Sequence, residues 1–151
     1  MITLDQIKQL RAQTAASVME CRKALEEAKG DVTQAKAFLK QWGVERADKK
    51  AGRKTAAGAV YAYIHHGQTT GVLLEMNCET DFVARSDDFK KLCHELALQI
   101  AAMNPETVDK LVAQEYIRDA TLSVDQLIKS TIGKLGENIV VKRFIRYELG
   151  K

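Results

Sequence analysis

Glu75-Met76-Asn77-Cys78-Glu79-Thr80-Asp81-Phe82-Val83-Ala84-Arg85 is the stretch on which the reading of this chain turns. Upstream, Gly71 to Met76 is aliphatic and β-branched, the composition of a strand. Asn77 and Glu79-Thr80-Asp81 supply turn and helix-capping side chains, and Ser86-Asp87-Asp88 opens a long amphipathic helix. Phe82 therefore sits on a strand-to-helix corner. A corner aromatic beside a carboxylate has two uses: it turns inward as a core plug, or it points outward as an anchor for a pocket on a partner. Residue chemistry alone favours the core, because aromatics near element ends usually bury at home.

Working outward, the period upstream of the corner is two. Val60, Tyr61, Tyr63 and Ile64, a turn around Gly67-Gln68, then Val72, Leu73, Leu74 and Met76 read as a β-hairpin, with His65 and His66 at its solvent-facing turn. Downstream, Phe89, Leu92, Cys93, Leu96, Ala97, Ile100 and Met103 form a helical stripe that ends at Asn104-Pro105. Glu106 to Leu122 is less legible: Val108, Leu111 and Val112 suggest a helical turn and Tyr116-Ile117 an extended piece. Ser123 with Gln126 caps another helix ending near Gly133 or Gly136. Ile139, Val140, Val141, Phe144, Ile145, Tyr147 and Leu149 form a long last strand. Its consecutive apolar residues suggest burial on both faces, in mid-sheet or across a subunit interface. The expectation for residues 59–151 is an α+β core: a three-stranded antiparallel sheet with helices on one face.

The amino-terminal part is helical. Thr3 with Gln6 and Ser17 with Glu20 are capping boxes, and Asp31 with Gln34 starts a third helix. Gly30 is placed to stop the second helix, expected to run from Val18 to Lys29, and Gly43 to stop the third. Residues 1–43 thus read as a three-helix bundle. Val18 and Met19 are adjacent and cannot share one core stripe, so at least one is partly exposed. Between bundle and core, residues 44–58 read as a basic, partly helical linker carrying Arg46, Lys49, Lys50, Arg53 and Lys54. Such a run is either simply solvated or an electrostatic contact to an acidic partner.

Composition bounds the function. With 46% hydrophobic and 28% charged residues and a single proline, the chain is globular rather than disordered. A net charge of +3, with no aromatics among the linker cations, gives no reason to expect nucleic acid as a partner. Cys21, Cys78 and Cys93 are an odd, widely spaced set that fits neither a disulfide framework nor a metal site, so a reducing cytoplasm is expected, with no metal. No apolar run approaches the ~20 residues of a membrane helix, and no membrane association is expected. Gly133-Lys134 lacks the preceding glycine of a phosphate loop, and no nucleophile and base converge, so no cofactor and no enzymatic activity are expected.

The run Glu75 to Arg85 resembles, without a gap, the signature of the elongation factor Ts family, the nucleotide exchange factors of elongation factor Tu. Leu10 to Leu25 follows the family's amino-terminal pattern, with Ala15 where a small polar residue or glycine is usual, and Gly136-Glu137-Asn138-Ile139 resembles its entry into the last strand. The resemblance covers Ile2 to Pro105 and Ser123 to Gly150; the stretch between is too short for the second core subdomain or coiled-coil arm of longer members. It implies a ubiquitin-associated-like bundle and partner contacts through Thr80, Asp81, Phe82 and Val83, through Arg11, Val18 and Met19, and through Lys50 and Arg53. It also implies acceleration of GDP release from elongation factor Tu, and pairing of short chains as homodimers.

Overall fold

The computed structural model describes residues 1–151. Helices α1 (Leu4–Thr14), α2 (Val18–Glu27) and α3 (Val32–Lys50) are followed by strands β1 (Ala57–Ile64) and β2 (Thr70–Cys78). A single-turn helix α4 (Asp81–Ala84) leads into the long helix α5 (Asp87–Met103), and α6 (Val108–Ala113) follows. A small ribbon of β3 (Glu115–Tyr116) and β4 (Asp119–Ser123), helix α7 (Val124–Leu135) and strand β5 (Ile139–Glu148) complete the chain. The fold is α+β: an amino-terminal three-helix bundle and a core built on an antiparallel sheet in the order β1-β2-β5.

Local chemistry sets the helix starts. Thr3, Ser17 and Ser123 each form a reciprocal capping box with the glutamine or glutamate three residues on, and Asp31 accepts from the amides of Thr33 and Gln34. Helix α2 stops two residues short of Lys29 because Lys29 and Gly30 both take left-handed backbone angles. Ala15, in the turn between α1 and α2, is left-handed too, at φ 55°, which accounts for a preference for glycine there.

Helix α3 does not end at Gly43. It continues to Lys50, so the first half of the basic stretch 44–58 is helix, and Ala47 is buried in the main core. Gly43 serves a different purpose: a Cβ added at Gly133 of α7 would lie 2.7 Å from the Gly43 carbonyl oxygen and 2.9 Å from its Cα. The paired glycines let α3 and α7 cross backbone to backbone. Gly133 accordingly sits inside α7, and the left-handed Gly136 ends that helix.

Two separate apolar clusters result. The bundle encloses Leu10, Cys21, Ala24, Leu25, Ala28, Ala35 and Leu39. The larger cluster packs the inward row of β2, Val72, Leu74, Met76 and Cys78, against Phe89, Leu92, Cys93, Leu96, Ala97 and Ile100 of α5. Each large side chain in it contributes roughly 1.5–3 kcal/mol by leaving water.

Strand β5 is an edge strand, not a mid-sheet one, and only one of its faces is covered. Ile139 and Val141 are buried, whereas Val140, Ile145 and Tyr147 are exposed. Its consecutive apolar residues arise because outer-face positions Val140 and Ile145 are themselves apolar, and a bulge lies between the two runs: Met76 pairs with Val141 but Glu75 pairs with Arg143, so Lys142 is extra and the alternation changes phase.

Residues 106–122 contain the expected helical turn, now α6, and the expected extended piece at Tyr116, which pairs with β4 to make a ribbon. Helix α5 holds that ribbon. The buried Gln99 amide donates to the Gln114 side chain (3.1 Å) and the Glu115 carbonyl (3.0 Å), and accepts from the Ile117 amide (3.0 Å). Glu95 accepts from the Tyr116 hydroxyl and from Arg118, both at 2.5 Å. Burial works to raise the Glu95 pKa, but these two donors outweigh it and hold the carboxyl below its ordinary value.

Gly133→Ala should destabilise the protein by about 1–3 kcal/mol, because the new methyl meets backbone that cannot yield. Urea unfolding checks this. A stability equal to wild type would mean that α3 and α7 are not in direct backbone contact.

Candidate functional site

The site is the corner joining β2 to α5. The period of two along β2 sends Cys78 into the core, where it is fully buried. Thr80 then leaves the strand in extended conformation and caps α4, its hydroxyl accepting the Val83 amide at 3.3 Å. One helical turn offers one inward position, and Val83 fills it, 4% exposed and part of the main core. Ser86 closes the corner by donating to the Val83 carbonyl (2.7 Å) and capping α5 through the Phe89 amide. Phe82, next to Val83 on a helix, must face elsewhere. It stands 80% exposed, and Asp81 beside it is exposed as well. The core position that residue chemistry alone favours for Phe82 is thus overturned, with Val83 and Phe89 as the buried plugs.

The chain just before Phe82 is tied to two distant segments. Glu137, in the turn between α7 and β5, accepts from the Thr80 amide (2.9 Å) and the Thr80 hydroxyl (2.7 Å). Glu79 accepts from the Asn138 amide (2.9 Å) and pairs with Arg53 (2.9 Å), while the Asn138 side-chain amide donates to the Arg53 carbonyl (2.9 Å). The site is acidic: burial first, and then the charges of Glu137, Asp81 and Glu79, push the Cys78 thiol above its ordinary pKa. That thiol stays neutral and donates weakly to the Thr80 carbonyl at 3.2 Å.

The other sequence-derived contact residues lie apart from the corner. Val18 and Met19, in the first turn of α2, are 48% and 74% exposed. Arg11 is exposed near the end of α1 and lines a cleft of about 730 Å³ between the bundle and α7, together with Lys36, Lys40, Arg46 and Lys134. Lys50 is half-buried at the end of α3. Of the basic stretch, Arg46 is paired with Glu20 and Arg53 with Glu79, so those two cations are engaged within the chain. Lys49, Lys50 and Lys54 take part in no ion pair.

Residues 79–151 match the family model for elongation factor TS, which begins at the corner itself. The chain is 44% identical to elongation factor Ts of Coprothermobacter proteolyticus over 195 aligned positions, 99% of either chain. The chain belongs to the elongation factor Ts family. Within the elongation factor Ts family it is also 42% identical to the Thermotoga maritima protein, over 99% of this chain and 97% of that one. It is 39% identical to the Solibacter usitatus protein, over 99% and 92%. These alignments contain more positions than the chain has residues, so the relatives carry segments without a counterpart here.

Three site residues escape sequence reasoning as functional residues: Glu79, Glu137 and Asn138. Glu79 lies in the quoted motif and reads there as turn chemistry, and Glu137-Asn138 reads only as the entry to the last strand. Nothing local links positions 57 to 59 residues apart. The usable signal is that two acid-bearing turns each begin or end a strand of the same sheet.

Because Phe82 touches little of its own chain, Phe82→Ala should change stability by no more than about 0.5 kcal/mol. Val83→Ala, one residue away, should cost about 2 kcal/mol. Urea titrations of both variants test this split; a large loss in Phe82→Ala would mean that the ring is packed at home.

Proposed function

We propose that this chain is a guanine-nucleotide exchange factor of translation elongation that accelerates GDP release from elongation factor Tu. The observation that carries the reading is Phe82: a large aromatic held out in water on a braced corner, in a member of the elongation factor Ts family. An exposed ring of this size is an anchor for a partner pocket, the kind of residue that dominates interface energetics. Phe82 enters the GTPase domain of the partner and shifts the helix that carries part of its magnesium site, while Asp81 competes with the hydrogen-bond network of the metal. Without the cation the phosphates of GDP are left with unscreened charge.

Linkage then gives the rate. A factor that favours the nucleotide-free partner weakens nucleotide by the same ratio, about tenfold for each 1.4 kcal/mol of coupling. Thr80 and Val83 hold the corner, Thr80 from outside and Val83 from the core. Arg11, Val18 and Met19 grip the GTPase domain from the bundle, and Lys50 adds a charge that raises the association rate more than the affinity. Arg53 acts through Glu79 rather than directly. No bond is made or broken, so the chain is a regulator with no nucleotide site or cofactor of its own. A cytoplasmic setting suits three free, buried cysteines, and no helix is long and apolar enough to cross a membrane.

The active form we take to be a homodimer. The outer face of the sheet carries exposed Val60, Ile64, Leu73, Val140, Ile145 and Tyr147. The register makes Ile64, Leu73, Ile145 and Tyr147 contiguous, through the rows Ala62-Leu73-Ile145 and Ile64-Gly71-Tyr147, with the Glu75–Arg143 ion pair between them and Val140. A patch of this kind is covered when a second copy lays the same face against it about a two-fold axis.

Two experiments test these readings. Stopped-flow release of a fluorescent GDP analogue from elongation factor Tu should be accelerated by the wild type and lose roughly thirtyfold with Phe82→Ala, the equivalent of about 2 kcal/mol. No acceleration by saturating, folded wild type would refute the exchange function. Sedimentation should find a dimer for the wild type and a monomer for Ile145→Lys; a wild-type monomer at micromolar concentration would refute the pairing.

A further inference from the structure

We propose that Glu137 is a positioning residue for exchange: its carboxylate locks Thr80 and so fixes the direction in which Phe82 is presented. The proposal rests on the reading of Phe82 as the anchor, and its geometry stands independently. Helix α4 is a single turn of four residues. Isolated turns are unstable because nucleation fixes several dihedrals for one hydrogen bond. Its own cap is long, 3.3 Å from the Thr80 hydroxyl to the Val83 amide. What braces that cap comes from the far end of the core. One Glu137 oxygen takes the Thr80 amide and the other takes the Thr80 hydroxyl, at 2.9 and 2.7 Å.

The arrangement is crosswise. Glu137 receives the amide of Thr80, and Glu79 receives the amide of Asn138, so each turn supplies a carboxylate to the backbone of the other. Glu137 is in no ion pair; both of its oxygens are spent on Thr80. Arg53 completes the brace by pairing with the second Glu79 oxygen while its carbonyl accepts from Asn138. The end of β2 and the start of β5 are thereby tied to each other and to the segment before β1, two residues ahead of the exposed ring in the chain.

An anchor that is already aimed avoids the ordering cost that a mobile one meets on binding. Glu137 does not touch a partner in this scheme and acts only through Thr80. Its loss should leave the bundle contacts intact and lower the maximal rate of GDP release from the saturated complex more than it raises the half-saturating concentration.

The test uses the full chain and elongation factor Tu charged with a fluorescent GDP analogue. Glu137→Ala should lower the maximal release rate about tenfold and move the half-saturating concentration less than about threefold. Glu137→Gln should restore most of the rate, since its amide can accept from the Thr80 amide and donate to the hydroxyl. In a Phe82→Ala background, Glu137→Ala should add less than about a twofold loss, as expected for residues acting in series. Equal losses in both backgrounds would overturn the proposal. Amide hydrogen exchange of the free protein gives an arm independent of activity: in Glu137→Ala the amides of Thr80, Val83 and Ala84 should exchange faster while those of α5 do not. Unchanged exchange at those amides would also overturn it. Full activity of Phe82→Ala would instead refute the anchor reading, and hydrogen exchange would then decide the brace by itself.

Discussion

The inward row of β2 and its continuation into Val83 constrain the whole corner. Val72, Leu74, Met76 and Cys78 face α5 on every second residue, and the single turn of α4 then has one direction left that reaches the same core. Val83 takes it. Once Val83 is inside, Phe82 is outside, because neighbours on a helix lie about 100° apart. The exposed aromatic is therefore a consequence of buried aliphatics, and removing it should leave the fold standing.

The same strand explains the sheet. β2 is the only strand paired on both sides, so it is covered by α5 on one face and flanked by β1 and β5 along its edges. The bulge opposite Glu75 and Met76 lets β5 keep Ile139 and Val141 in the core while turning Ile145 and Tyr147 to the other face. An apolar patch on the outer face of the sheet thus arises from the same register that buries Ile139 and Val141.

Periodicity and capping were enough to read most elements from the sequence. Thr3, Ser17, Asp31, Ser86 and Ser123 are all N-caps in the folded chain, and the hairpin turn lies where His65 to Gln68 indicate. The failures share a cause. Gly43 looks like a helix stop because glycine commonly ends helices, but its role depends on Gly133, ninety residues away. The last strand looks buried on both faces because its outer-face positions Val140, Ile145 and Tyr147 are apolar, and the bulge that changes its phase leaves no local mark. Phe82 looks like core because the competing plugs, Val83 and Phe89, are recognisable only once their directions are known. Glu137 was legible as part of a family resemblance but not as the partner of Thr80, since side-chain hydrogen bonds between distant turns follow from topology rather than from pattern.

Continuity of α3 gives the proposed complex its reach. Ala35 and Leu39 belong to the bundle core and Ala47 to the main core, so α3 joins the two clusters and sets the bundle, with Val18 and Met19 on its α2, at a defined separation from the core. In the proposed complex, two contact regions joined without a flexible break would engage one partner with a high effective concentration. The most direct test of this account is to replace Phe82 with a photoreactive phenylalanine analogue and irradiate the complex with nucleotide-free elongation factor Tu. An adduct within the GTPase domain, beside the magnesium-binding helix, is the expected result. An intact complex that yields no adduct from position 82, while the same group at Met19 does, would contradict it.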